Sequence, residues 1–135
     1  MNRILLIALF CIGLASQANS QVGYYTALVN EYEKECSINK RKADKLDSEA
    51  SNYLILAKEY QSKADSCFLC DDDENFNKYS KLAEETNKNA TLYKDMAKEA
   101  RSIAAEKYSL WQDAVTKMMR ARREEEEQLR RNRGF

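Results

Sequence analysis

The chain reads as all-α: an antiparallel two-helix coiled-coil hairpin with an alanine/tyrosine heptad seam, open to dimerisation into a four-helix bundle. Three observations lead there. Small apolar and aromatic residues recur with a seven-residue period over most of the chain. The 135 residues include no proline and only three glycines, at positions 13, 23 and 134, so nothing between them interrupts a helix. An acidic stretch, Cys70-Asp71-Asp72-Asp73-Glu74-Asn75, breaks the repeat once near its middle.

The first seam takes Val22, Val29, Cys36, Ala43, Ala50, Ala57 and Ala64, with Tyr25, Tyr32, Asn39, Leu46, Tyr53, Tyr60 and Cys67 three residues after each. The second takes Phe76, Ala83, Ala90, Ala97, Ala104, Trp111 and Met118, with Tyr79, Thr86, Tyr93, Ala100, Lys107, Ala114 and Ala121. Folding the chain about a midpoint between Asp71 and Asp72 sets Tyr60 on Ala83, Tyr53 on Ala90, Ala50 on Tyr93 and Ala64 on Tyr79. Large residues then face small ones, as close helix packing without voids requires. A parallel pairing offers no such match. High helix propensity alone would also enrich alanine, but it gives no reason for the spacing. No stretch alternates β-branched and polar residues, so strand signals are absent.

Taken in order, residues 1–20 read as a secretory signal peptide. Arg3 precedes an apolar run from Ile4 to Ala15, and the small residues Ala18 and Ser20 suit cleavage before Asn19 or before Gln21. The run is short for a bilayer span, and Cys11 leaves with it. The hairpin occupies residues 21–121: a helix over 22–69, a turn at 70–75 and a helix over 76–121. In the first helix, Cys36 and Asn39 fall opposite Lys107 and Ala104. That polar layer either fixes register or accompanies a kink at Ser37-Ile38-Asn39. Residues 122–135 form a charged helical tail, in which Glu126 stands four before Arg130 and Glu127 four before Arg131.

Removing Arg3 with the leader leaves 21 basic against 22 acidic residues. Such balance argues against nucleic acid as a partner and against contact with anionic membranes. Recognition is left to shape and apolar contact. There is no histidine, no glycine-rich phosphate loop and no Gly-x-Ser-x-Gly elbow, so the sequence nominates no catalytic residue, no cofactor-binding residue and no enzyme activity. No metal site is expected either. Asp71, Asp73 and Asn75 have the spacing of the first EF-hand ligands, but Phe76 replaces the obligatory glycine and Leu82 the bidentate glutamate.

Four side-chain groups remain. Cys67 and Cys70 form a C-x-x-C expected to close the hairpin end with a local disulfide in an oxidising compartment. Cys36 is too far along a straight helix to reach them, and is read as a free or interchain thiol. Asn89-Ala90-Thr91 makes Asn89 a glycosylation candidate, usable where its flank is exposed. Beside the second seam run Leu82, Met96, Ile103 and Leu110, an apolar interaction flank wider than two helices need. The expected function is that of a secreted, extracellular, non-enzymatic coiled-coil structural or protein-interaction protein. Its partners would be a second copy of itself or another secreted or surface protein. The alternative is a small helical carrier of an apolar ligand, seated among Tyr25, Tyr32, Trp111 and Met118.

Overall fold

A computed structural model describes residues 20–134, so residues 1–19 of the expected signal peptide, with Cys11, lie outside the described residues. The described chain is two long helices packed against each other as a helical hairpin: α1, Gln21–Leu69, of 49 residues, and α2, Asp73–Asn132, of 60 residues. No strand occurs among the described residues. α1 continues as helix through Ser37-Ile38-Asn39.

Burial follows the seven-residue period. The buried residues are Cys36, Ala43, Leu46, Ala50, Ala57 and Ala64 from α1, and Ala83, Thr86, Ala90, Ala97, Ala100, Ala104, Ala114 and Ala121 from α2. Every other position of the two repeats, from Val22 to Ala121, is half-buried, and none is exposed. The reason is steric. Alanine places one methyl group at the interface and is covered completely, whereas the longer tyrosines stay half-buried at its edge. Thr86 is the polar exception at 7% exposure, and its hydroxyl is satisfied by donating to the Leu82 carbonyl at 2.6 Å.

The described chain divides into two units, residues 37–104 and residues 20–36 with 105–134. Within the first, three ring pairs cross between the helices: Tyr53 with Tyr93 at 5.2 Å, Tyr60 with Tyr79 at 6.4 Å and Phe68 with Phe76 at 5.6 Å between centroids. Arg101 also forms an ion pair with Asp47 there. Within the second, Lys107 meets Glu35 at 2.7 Å and the Thr26 hydroxyl approaches the Met118 sulfur at 3.4 Å. Each pair lies within a few residues of mirror positions about Asp71 and Asp72.

The reversal is tighter than the sequence suggests, because one residue both ends α1 and starts α2. Asp71 adopts φ 53°, the left-handed conformation usual for a helix-ending glycine. Asp72 then donates its N–H to the Cys67 carbonyl at 3.0 Å, and Asp71 to that of Phe68 at 3.3 Å, which is the Schellman pattern. The Asp72 carboxylate turns forward to accept the Asn75 N–H at 3.2 Å and the Asn75 side-chain amide at 2.7 Å. Asp72 is therefore the N-cap of α2. The helix begins at Asp73 rather than Phe76, and the connection shrinks from the expected 70–75 to Cys70, Asp71 and Asp72. At the other end of α1, the Ser20 hydroxyl accepts the Gly23 N–H at 3.1 Å as N-cap. Of the two expected cleavage points, the one before Asn19 keeps this cap and the one before Gln21 removes it.

Two outcomes follow from this packing. Ala97 has no exposed surface, so Ala97→Leu overpacks the interface and costs about 1–3 kcal/mol, whereas Ala105→Leu at an exposed position stays within about 0.5 kcal/mol. Urea unfolding midpoints at constant slope distinguish the two. For Asp72, the hydrogen bonds from the Asn75 side chain and then its backbone hold the carboxyl below its ordinary value of 3.8. A depressed folded value stabilises the fold above pH 3.8, and that contribution is lost as pH falls through the folded value. Asp72→Ala therefore lowers the thermal midpoint at neutral pH, and its difference from the native chain narrows in acid.

Candidate functional site

Along α2, the positions one before the buried alanines carry Leu82, Asn89, Met96 and Ile103 in the unit of residues 37–104. Leu82 and Ile103 are half-buried, while Met96 keeps 40% of its surface in water. α1 contributes Lys42, Glu49 and Leu56 to the same side. Lys42, Met96, Glu99, Ala100 and Ile103 line a shallow cleft of about 90 Å³, and Glu49, Asn52, Tyr53 and Leu56 an open groove of about 260 Å³. Leu56 is 36% exposed at its edge. Apolar side chains thus alternate with charged ones on a face that the hairpin itself does not cover. Leu110, the fourth expected flank residue, belongs to the other unit and is 37% exposed.

Asn89 is exposed within this row, between Leu82 and Met96. Its sequon partner Thr91 lies on α2 and donates its hydroxyl to the Asn87 carbonyl at 3.1 Å.

Cys36 is free, one of its two expected states, and the departure is at Cys67 and Cys70. Cys36, Cys67 and Cys70 are all free, so the expected Cys67–Cys70 bridge is not formed. Cys67 is half-buried in the last turn of α1, while Cys70 is exposed in the connection. The Schellman bonds made by the Cys67 carbonyl hold the main chain here without a sulfur link. Cys36 is buried at 6% exposure.

In the terminal unit, Lys107 takes a position that the repeat assigns to an apolar residue. Its ammonium pairs with Glu35 and lies 5.9 Å from the Tyr32 ring centroid, so both an anion and a π-face receive it. Nearby, Tyr108 stacks on Trp111 at 5.6 Å. Tyr25, Tyr32, Trp111 and Met118 are each half-buried. The Trp111 indole N–H is buried and has no acceptor among the described residues.

The residues that sequence reasoning passed over are Glu49, Tyr53 and Tyr93. The Tyr53 hydroxyl, and then the Glu49 carboxylate, push the Tyr93 phenol above its usual value of 10.0. Negative charge nearby disfavours a phenolate. The signal was present in the layers Tyr53 on Ala90 and Ala50 on Tyr93, because successive layers put the two rings on a diagonal. A ring pair by contrast surrounds itself with cations at Tyr60 and Tyr79, where Lys63 lies 5.8 Å and 5.7 Å from the two centroids.

No family model matches the chain, and no characterised protein or solved structure matches it either. No described helix is long and apolar enough to cross a membrane.

The Lys107 pair gives a pH dependence. The hydrogen bond to Glu35, with the attraction of that carboxylate, raises Lys107 above 10.5 against an opposing desolvation. A raised folded value means that the stabilisation is complete below pH 10.5 and is lost as pH rises through the folded value. Thermal melts of the native chain and Lys107→Gln should differ at neutral pH and converge in strong alkali. A gap that stays constant would mean the ammonium contributes nothing through its charge.

Proposed function

We propose that this chain is a secreted, extracellular, non-enzymatic protein that acts through protein–protein contact. An alanine/tyrosine coiled-coil seam lies inside the hairpin, and a second copy covers the flank to complete a four-helix bundle. The observation that carries the reading is the contrast between the two sets of positions. Every repeat position is buried or half-buried, yet Met96, Leu56 and Leu110 remain open to water beside them. Energetics favour a cover. A core made mostly of alanine methyls removes little apolar area at ~25 cal/mol per Å², against ~1–2 kcal/mol of backbone entropy per ordered residue. Small helical scaffolds commonly supply the difference by oligomerisation.

Lack of catalytic constellations supports the non-enzymatic part: the sequence has no histidine, and the side chains flanking the groove offer a hydrogen-bonded phenol rather than a nucleophile beside a base. A glycan on Asn89 would stand between Leu82 and Met96, so pairing through this flank needs Asn89 unmodified in the contacting copy. Another secreted or surface protein could use the same flank.

A small apolar ligand is the second reading, favoured by the buried Trp111 N–H without an acceptor. A carrier needs a pocket of about 300 Å³ or more lined by bulky apolar groups, and interfaces of alanine draw helices together instead. A stoichiometric apolar compound that co-purifies and quenches Trp111 fluorescence would reverse the order of the two readings.

Sedimentation equilibrium tests the leading one. The native chain should be at least dimeric at micromolar concentration, and Ile103→Glu should weaken association by about tenfold or more, as loss of a central contact does. A stable monomer indifferent to that substitution removes self-association from the proposal.

A further inference from the structure

We propose that Tyr53 and Tyr93 form an oxidative cross-linking site, at which a peroxide-driven oxidation joins their rings by a carbon–carbon bond and closes the hairpin covalently. The inference concerns one chain alone, so it does not depend on self-association.

Geometry carries it. The two rings come from opposite helices, their centroids are 5.2 Å apart and their planes are tilted by 35°. At that separation the rings are in contact, and both are half-buried on stiff helices that keep them together. Tyr53 also lines the open groove of about 260 Å³ with Glu49, Asn52 and Leu56. That groove gives an oxidant and water a way to the phenols.

Electrostatics selects this pair over the others. Removing an electron from a phenol leaves a strongly acidic radical cation, so an adjacent base that takes the proton lowers the barrier. Glu49, which lines the groove beside Tyr53 and whose charge acts on the Tyr93 phenol, is placed to be that base. Tyr60 and Tyr79 are farther apart at 6.4 Å and nearly parallel at 22°. Lys63 lies over both rings, and Lys78 lies 5.9 Å from that of Tyr79. Positive charge there opposes loss of an electron. Tyr24 and Tyr25 are sequence neighbours on α1, set edge to face at 68°, so coupling them would not link the helices.

The chemistry balances as follows. Each phenol loses one electron and its hydroxyl proton, that of Tyr93 passing to Glu49 and then to water. The two radicals pair through their ortho carbons, and the hydrogens on those carbons move to the phenolic oxygens as the rings recover aromaticity. The protein loses two hydrogen atoms in all. Hydrogen peroxide, acting through a haem peroxidase, takes up those two electrons and two protons and becomes two molecules of water.

The test treats the purified full chain, kept dilute, with hydrogen peroxide and a haem peroxidase. The monomer should lose the mass of two hydrogens and gain dityrosine fluorescence, and peptide mapping should join Tyr53 to Tyr93. Tyr53→Phe and Tyr93→Phe should each abolish that join, with helix content retained by circular dichroism. Tyr60→Phe and Tyr79→Phe should leave it intact. Glu49→Gln should slow coupling by about threefold to tenfold without moving the join, and unfolding in urea should remove the preference for this pair. Coupling that maps to Tyr60 with Tyr79 or to Tyr24 with Tyr25 overturns the proposal. So does coupling that only links separate chains, coupling that persists in Tyr53→Phe, or no dityrosine under conditions that couple free tyrosine.

Discussion

Complete burial of small alanine side chains between the two helices is the constraint on which the rest of this hairpin depends. Ala43, Ala50, Ala57, Ala64, Ala83, Ala90 and Ala97 are buried to 2% exposure or less, and side chains this small permit close helix approach. Close approach leaves no room for a second large side chain in the same layer. The tyrosines are consequently half-buried at the edges, where Tyr53 meets Tyr93 and Tyr60 meets Tyr79. No large side chain among the described residues is fully buried. The same constraint that makes the interface dense also makes it thin, and it leaves the flanking leucines, isoleucine and methionine only partly covered.

A thin interface places weight on its ends. Asp72 ends one helix through its N–H and starts the other through its carboxylate, so both helices are registered from a single residue. The left-handed conformation of Asp71 is the local cost of that economy. Because the turn allows no slack, Phe68 and Phe76 meet directly after it, and the mirror relation of later pairs follows from their distance along each helix. The main chain is held here by hydrogen bonds, with free thiols at Cys67 in the last turn of α1 and at Cys70 in the connection.

Charged groups then differentiate interface layers that are otherwise chemically alike. Tyr53 with Tyr93 has a carboxylate at its edge, whereas Tyr60 with Tyr79 lies under an ammonium. Lys107, placed where an apolar residue would fit, is accommodated by Glu35 and the face of Tyr32. Arg101 pairs with Asp47 between the helices, and Glu127 with Arg131 along the tail at 3.7 Å, one of the two pairs that the sequence spacing suggests. Exposed pairs of the latter kind are worth little.

The two helices, the single reversal between them and the set of covered positions were legible in the sequence, since each rests on local chemistry. Helix follows from alanine-rich sequence without proline, and the covered face from a seven-residue period that backbone geometry turns into a stripe. The flank Leu82, Met96 and Ile103 was legible for the same reason. What only the tertiary structure decided depends on distances between residues far apart in the chain or on competition for one hydrogen-bonding group. It decided that Asp72, not a longer acidic loop, caps α2, because its carboxylate reaches Asn75 before the helix can start later. It left Cys67 and Cys70 unbridged, with one half-buried and the other exposed. It turned the diagonal between successive layers into contact of Tyr53 with Tyr93, and it set Lys63 over Tyr60 and Tyr79. Periodicity specifies which side of a helix faces its neighbour, but the direction in which a long side chain leaves that interface is fixed only once the neighbouring layer is in place.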